Sequence, residues 1–281
     1  MTDDVDVLAG TSLVNRLWRL DVSEDHQLNS AAVSCAAVAC RAAVSQVPSA
    51  SAHAVVIITA TSAGAASAVS FHPAPEEDHH IDARDLFLDQ HAAMHSAAVA
   101  GNKMSAAERA FAGLAEAQMR VRPREDLNSL AWLMWHIARA EDIMVNRMLA
   151  GQAQVFDEAW KKRLGISRPD FGIGMTSPEV TELTQKIDVG ALREYRDTVG
   201  RRTREIVGGF KPQDWEGSVT AEIVERAAAE GAFGVRTEMM VKMFPGRPRA
   251  AVLSGIALFH SAGHMGEAAT VRTAGGFGSG I

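Results

Sequence analysis

Two histidines four residues apart near the C-terminal end of the chain, His260 and His264, have the type and spacing needed to bind a metal ion. Residues four apart on a helix have Cβ atoms about 5–6 Å apart, and from that separation two imidazoles can both reach one ion at about 2.0–2.1 Å. Both histidines also fall within the apolar stripe that a helix would form here. The predicted stripe consists of Val252, Ile256, Phe259, His260, Gly263, His264, Glu267 and Val271.

A third candidate ligand, His136, lies in a second segment with helical periodicity. Leu133, Ile137, Ala140 and Met144 surround it, so its imidazole is also expected to point inward. The alternative is that the histidines are core residues bonded to backbone or carboxylates. Polar rings in an apolar stripe are costly unless something satisfies them, and three such rings favour a shared metal ion.

The pair on the C-terminal helix does not match the zinc-protease motif. That motif, H-E-x-x-H, requires glutamate directly after the first histidine, where this chain has Ser261. Glu267 follows His264 by three residues on the same face, so we predict an acid–base role or a role in orienting a ligand. The alternative is a carboxylate at the solvent edge, paired with Arg272 or another base.

A further pair at the same spacing, His91 and His95, lies on the first predicted helix. Either could approach the metal site as an additional ligand or base, although we expect both side chains to be partly exposed. Other residues have structural and functional interpretations that stay open at this point. They are Tyr195 (a core residue with a satisfied hydroxyl), Trp132, Trp135 and Trp160 (core or pocket wall), and Arg139 and Arg147 (solvated or binding cofactor carboxylates).

The segments that must position these side chains are predicted to be helices. Helical periodicity and capping residues predict four long helices, and no stretch alternates as a strand would. The long helices are expected over residues 85–100, 129–149, 188–208 and 248–274, with shorter ones at 105–116, 177–186 and 220–230. The fold class is therefore all-α, an antiparallel four-helix bundle over residues 83–281.

Residues 1–82 differ in composition from the rest of the chain. They are rich in Ala, Ser and Val and carry 10 acidic against 3 basic residues, whereas residues 83–281 carry 24 against 25. Such a segment contains few large apolar side chains, so we expect it to be poorly ordered. A translation start assigned too far upstream would also produce such a leader.

Charge, apolar run length and cysteine content argue against several classes of protein. The nearly neutral domain lacks the basic stripe of a nucleic-acid binder, and no run of about 20 apolar residues predicts a membrane span. Cys35 and Cys40 alone form neither a zinc knuckle nor a disulfide framework. We expect a cytoplasmic protein with small-molecule partners.

Two motifs resemble the DinB/YfiT-like superfamily of four-helix metalloproteins, which includes bacillithiol transferases and mycothiol-dependent maleylpyruvate isomerases. They are NSLAWLMWHIARAED at residues 128–142 and HSAGHMGE at residues 260–267. The resemblance covers roughly residues 83–281. It implies that one histidine of the second helix and two ligands of the fourth bind the metal, positions that match His136, His260 and His264. The isomerase branch has glutamate at the position of His260, so the three-histidine pattern is more similar to the transferase branch.

The resemblance also implies a chemistry. A divalent metal, zinc or nickel because imidazole suits both, would work with a low-molecular-weight thiol whose sulfur is transferred to an electrophile or assists an isomerisation. The Ala-, Arg- and Val-rich composition indicates a high-GC bacterium, which would favour mycothiol as the thiol. Homodimers are common in this superfamily. One alternative is a non-catalytic bundle that binds a metal or small ligand, and another is a scaffold with structural histidines.

Overall fold

The computed structural model describes residues 82–279, and within them the chain is helical, with one isolated bridge between Ser218 and Pro248. The predicted leader, residues 1–82, lies outside the described residues except for Asp82, whose carboxylate accepts a hydrogen bond from Arg84 N and caps the first helix. None of the helices in the described range is long and apolar enough to cross a membrane.

Two of the long helices contain a π-helical segment. The second runs as α5 (Leu130–Glu141) and continues directly into π1 (Asp142–Leu149). The fourth runs as α12 (Arg249–Ser254), π2 (Gly255–His260) and α13 (Ser261–Ala274). The third long helix is α8 (Val189–Gly208), which is α-helical throughout.

The remaining helices lie at the start of the described chain or in the connections. They are α1 (Ala83–Met94), α2 (Ala97–Ala100), α3 (Ala106–Phe111), α4 (Glu116–Met119), α6 (Glu158–Leu164), α7 (Ser177–Lys186), α9 (Pro212–Glu216), α10 (Ala221–Ala229), a 3₁₀ turn (Gly234–Arg236) and α11 (Thr237–Met243).

The all-α bundle is confirmed, with α5 at its centre. This helix packs against α8 and α13, while α1 packs against α8 and π2. Every residue of α5 is buried, so the helix has no solvent face. It is apolar nearly all round, as expected for a helix enclosed by neighbours on every side.

Three- and four-residue spacing predicts that one face of α8 consists of Leu192, Tyr195, Val199, Thr203 and Ile206. This inward face is confirmed, because all five residues are buried. Asp188 caps its first turn by accepting a hydrogen bond from Ala191 N at 2.7 Å.

The predicted length of the first long helix was wrong, and its predicted inward face was only partly right. That face was expected to consist of Leu86, Phe87, Gln90, Met94, Ala97 and Ala98. Phe87 is buried as expected, but Leu86 is 47% exposed, and His91 and His95 are buried instead. The helix also ends at Met94, because His95 has an extended backbone. Periodicity read across residues 85–100 combined two helices with different faces, so the polar residues that line the actual inward face were assigned outward.

The predicted stripe of the fourth long helix was partly wrong. Phe259 is 58% exposed and Gly263 is also exposed, whereas Ala257 and Ser261 lie fully buried. The reason is π2, since the wider π turn delays the rotation of the following residues relative to an α-helix. A count at 3.6 residues per turn therefore assigns Phe259 to the core.

Candidate metal centre

His136 of α5, His260 at the end of π2 and His264 of α13 come together, as the sequence predicted. Their ring centroids form a nearly equilateral triangle with sides of 4.9, 4.6 and 4.6 Å. The Nε2 atoms of His136 and His260 are 3.0 Å apart, and one ligand nitrogen from each ring lies within 4.8 Å of the others. Three imidazoles at these separations are a donor set that suits a borderline divalent ion.

The imidazole of His136 is oriented by the backbone. Its Nδ1 donates a hydrogen bond to the carbonyl of Phe171, which fixes the proton on Nδ1 and leaves the lone pair on Nε2, facing the other two rings. Trp132 stacks on the same ring at a centroid distance of 4.7 Å and an interplanar angle of 10°. Ring rotation is therefore restrained on both the bonded and the stacked side.

The imidazole of His264 is oriented by Glu267. Its Nδ1 donates to Oε2 of Glu267 at 2.8 Å, and Nδ2 of Asn128 donates to Oε1 at 2.9 Å. This is the carboxylate–histidine arrangement that commonly supports a metal ligand, because it fixes the tautomer and raises the basicity of the ring. Glu267 thus contacts a candidate ligand through one oxygen and the segment that leads into α5 through the other.

The site favours neutral imidazoles. Burial lowers the pKa of His136 to about 3, with a further lowering from the charge of His264, and burial also lowers the pKa of His260 well below its usual range. Burial of Glu267 opposes its ionisation, yet the hydrogen bonds from His264 and Asn128 outweigh it and lower the pKa of this carboxyl. Metal binding needs imidazoles with a free lone pair, and the site provides them.

The position of His260 depends on π2, which ends at this residue. Isolated π turns inside α-helices are frequent at functional sites because they change the direction of the side chains that follow. From His260 onward the chain is α-helical, so His264 follows at ordinary four-residue spacing. Neither the periodicity nor the capping residues mark the π turn in the sequence.

Sequence reasoning also missed the loop that contacts His136. Gly172 has φ of +87°, and a Cβ atom there would lie 2.6 Å from Cζ3 of Trp135. Its N–H donates to Oδ1 of Asp170 at 2.6 Å. The glycine thereby lets the loop lie against the tryptophan ring and bring the Phe171 carbonyl to the imidazole.

Replacing Gly172 with alanine is expected to destabilise the protein by about 2–4 kcal/mol, from left-handed backbone strain and overpacking against Trp135. The affinity for a divalent ion should fall by roughly 10- to 100-fold, because the outer hydrogen bond to His136 is displaced. Urea denaturation and metal titration would measure the two effects.

The matched control is Gly113→Ala. Gly113 has φ of +71°, and a Cβ atom at this position would have no neighbour within 4 Å. It carries the backbone strain without the clash, so we expect about 1–2 kcal/mol with unchanged metal affinity. Equal losses in the two variants would contradict the role assigned to the loop.

A family model described as the DinB superfamily matches residues 104–268. The chain belongs to the DinB superfamily. The matched range contains all three histidines of the triangle and Glu267, and begins after α1. A search of curated proteins returns no significant match to this chain.

Membership of the DinB superfamily does not assign roles to the other candidate residues, but the structure shows where they lie. Arg272 does not pair with Glu267, since its guanidinium donates to backbone carbonyls including that of Phe277. His91 and His95, expected to be partly exposed, are fully buried. They form a separate group with Glu141 instead of adding ligands to the triangle.

The arginines and aromatic residues flagged in the sequence are engaged in the protein itself. Arg147 pairs with Glu230, and Trp160 packs beside Tyr195 at a centroid distance of 5.4 Å. Trp132 alone among the three flagged tryptophans stacks on a histidine of the triangle. Arg139 is fully buried, so solvent exposure is excluded for it.

Arg139 belongs to a buried network centred on Asp142. The carboxylate accepts hydrogen bonds from Arg139 at 3.1 Å, from the Tyr195 hydroxyl at 2.7 Å and from the backbone of the following loop. Burial raises the pKa of Tyr195 well above its usual value, so its hydroxyl stays protonated and donates. This confirms the prediction that the hydroxyl of Tyr195 is satisfied in the core.

Proposed function

We propose that the protein is a metal-dependent enzyme that uses a low-molecular-weight thiol, either transferring its sulfur to an electrophile or using it in an isomerisation. The observation that carries this proposal is the triangle of three inward histidines in which two tautomers are fixed by outer hydrogen bonds. Three neutral ligands leave the charge of a divalent ion uncancelled, as in catalytic sites.

The surrounding residues favour access from one side. His136 is nearly fully buried under Trp132, whereas the His264 side chain is 25% exposed and Phe259 is 58% exposed. A thiol and an electrophile would therefore enter along the outer side of π2 and α13, and the buried side would exclude water.

A divalent ion held by the three imidazoles would lower the pKa of a thiol that joins it. In S-transfer a carbon–sulfur bond forms, the leaving group departs with its electron pair, and the thiol proton passes to solvent on the exposed side. The role of the chain is to hold the Nε2 lone pairs of His136, His260 and His264 towards one point. Glu267 acts in this proposal as a positioning residue, through the imidazole of His264.

We expect the purified protein to carry about one zinc or nickel ion per chain that a chelator removes without unfolding. Imidazole ligands suit both metals, and the half-buried His260 and His264 give the chelator access. Elemental analysis before and after native EDTA treatment measures this ion. Protein that neither carries nor accepts such an ion would contradict the metal site.

The enzymatic part of the proposal is tested by turnover. The metal-loaded protein should consume an electrophile only with a thiol present, in a panel that includes mycothiol and bacillithiol with alkylating and unsaturated electrophiles. Loss of the reaction after EDTA, and its return with zinc or nickel, is the expected pattern. If the metal-loaded protein shows no thiol-dependent turnover across the panel, the proposed enzymatic activity is refuted.

The second candidate is a non-catalytic bundle that binds a metal or small ligand. It is favoured by one observation, that both carboxylate oxygens of Glu267 are already engaged by Asn128 and His264. In that case the chelatable ion would be present, and a thiol would bind with no chemical change to it or to an electrophile.

A further inference from the structure

A second group of side chains that could bind a metal ion lies at the C-terminal end of α5. His91 and His95 on the first helical arm point their Nε2 atoms at the two oxygens of Glu141, at 3.0 and 2.9 Å. All three side chains are essentially unexposed. The imidazoles stack on each other at a centroid distance of 4.2 Å, so both rings face one carboxylate from the same side.

The charge of Glu141 needs a cation. In residues 82–279 no arginine or lysine forms an ion pair with this carboxylate. The guanidinium of Arg196 interacts with it only at longer range and donates its hydrogen bond to the Met94 carbonyl. A buried carboxylate that lacks a direct counter-charge is costly, because desolvation favours its neutral form.

The Nε2 atoms of both histidines face this carboxylate at hydrogen-bond distance. The cation that balances Glu141 is either a proton shared among the three side chains or a metal ion bound between them.

We propose that His91, His95 and Glu141 form a second, structural site for a borderline divalent ion such as Zn²⁺, separate from the three-histidine triangle. Two imidazole nitrogens and a carboxylate are a donor set that zinc accepts, and one ligand atom from each residue lies within 4.8 Å of the others. The ion would join α1 to the central helix. The site is independent of the proposed enzymatic function.

The close packing around His95 indicates a pre-formed arrangement. A Cβ atom at Gly200 of α8 would lie 2.4 Å from Nδ1 of His95, so the ring lies directly on the glycine. This contact holds the imidazole in the orientation that directs Nε2 to Glu141. Alanine at this position would displace the ring.

The distances and hydrogen bonds of the three side chains also indicate how strongly this site would bind an ion. Ligand atoms around tetrahedral zinc are about 3.3 Å apart, so the observed 2.9 and 3.0 Å separations must widen by a few tenths of an ångström. Nδ1 of each histidine has no hydrogen-bond partner among the described residues. Because such outer partners raise metal affinity by roughly 10- to 100-fold, this site should bind more weakly than the triangle.

Because this second site is buried, we expect a bound metal ion to exchange slowly with solvent. The ligands are not exposed to solvent, so an ion enters during folding and leaves only when α1 separates from α5. A chelator should thus remove the ion of the triangle from the native protein and leave the ion of the second site. This difference in accessibility separates the two sites experimentally.

The test uses the full chain refolded with excess Zn²⁺, treated with EDTA under native conditions and desalted. Wild type and His264→Ala should both retain about one zinc per chain by mass spectrometry. X-ray absorption on the retained zinc should report two imidazoles and a carboxylate. Native, folded wild type that retains no zinc would overturn the proposal, since a proton then balances Glu141, and so would retained zinc with three imidazole ligands.

Variants locate the retained ion. Glu141→Gln and His91→Gln should lower retained zinc at least tenfold, and Gly200→Ala should lower it by displacing His95. Gly208→Ala is the control on the same helix, where an added Cβ would have no neighbour within 4 Å, and it should retain zinc as wild type does. If Glu141→Gln fails to fold, the wild-type and His264→Ala zinc contents still decide the outcome.

Discussion

His264→Ala is expected to lose the chelatable metal ion and, with it, all thiol-dependent turnover. The substitution removes one of three ligands and leaves His136 and His260, and two imidazoles are too few to hold a catalytic ion firmly. Turnover should fall to the level of EDTA-treated wild type, and the chelatable metal should fall by the same fraction. Thr273→Ala, an exposed change on the same helix, should alter neither quantity.

Glu267→Gln separates the two roles predicted for this residue. As a positioning residue, Glu267 sets the orientation of His264, so the variant should lose roughly 10- to 100-fold in metal affinity and recover turnover at saturating metal. As a general acid or base, it would keep its metal and lose about 10²- to 10⁴-fold in kcat at every metal concentration. The hydrogen bonds that occupy both its oxygens lead us to expect the first pattern.

If His264→Ala keeps its chelatable ion and full activity, the triangle is not the metal centre.

The visible spectrum of the cobalt-substituted protein provides a further readout for Glu267, because a merely structural role of Glu267 would leave this spectrum unchanged. We expect Glu267→Gln to shift this spectrum and Thr273→Ala to reproduce that of wild type.

Asp142→Ala is expected to cause the largest loss of stability, about 3–5 kcal/mol. It leaves the fully buried guanidinium of Arg139 without its carboxylate and removes the acceptor for Tyr195 and the backbone of Val155 and Phe156. For a domain of this size the midpoint of thermal unfolding should drop by roughly 6–20 °C. Calorimetry or circular dichroism would measure the shift.

Two controls show whether that loss comes from burial. Asp142→Asn keeps the shape and part of the hydrogen bonding, so its loss should be smaller than that of alanine. Glu238→Ala breaks an exposed pair with Lys242 and should cost no more than about 0.5 kcal/mol. A midpoint for Asp142→Ala within about 2 °C of wild type would contradict the importance of the network.

The helical class and the inward positions of the three candidate ligands could be predicted because they depend on local periodicity. His136, His260 and His264 each lie among apolar residues at helical spacing. That pattern was sufficient to predict that their side chains point inward and meet. The α8 stripe through Tyr195 was predicted for the same reason, since α8 is a regular helix.

The errors arose where the chain departs from regular helix. The exposure of Phe259 follows from π2, and the burial of His91 and His95 follows from the break at His95 and the position of Glu141 on a different helix. The role of the Phe171 carbonyl could not be predicted, because a backbone acceptor leaves no side-chain signature. A cytoplasmic location, pairing of two copies and the identity of the metal stay predictions.

The complete burial of α5 divides the surroundings of the triangle into a half that is constrained by packing and a half that tolerates change. Each side chain around His136 fits neighbours on every side, so a new residue there disturbs the whole interior. The neighbours of His260 and His264 include exposed positions such as Phe259 and Gly263, where substitution costs little stability. Sequence changes beside the triangle can therefore accumulate on the outer surface of π2 and α13 while the three histidines and the interior remain as they are.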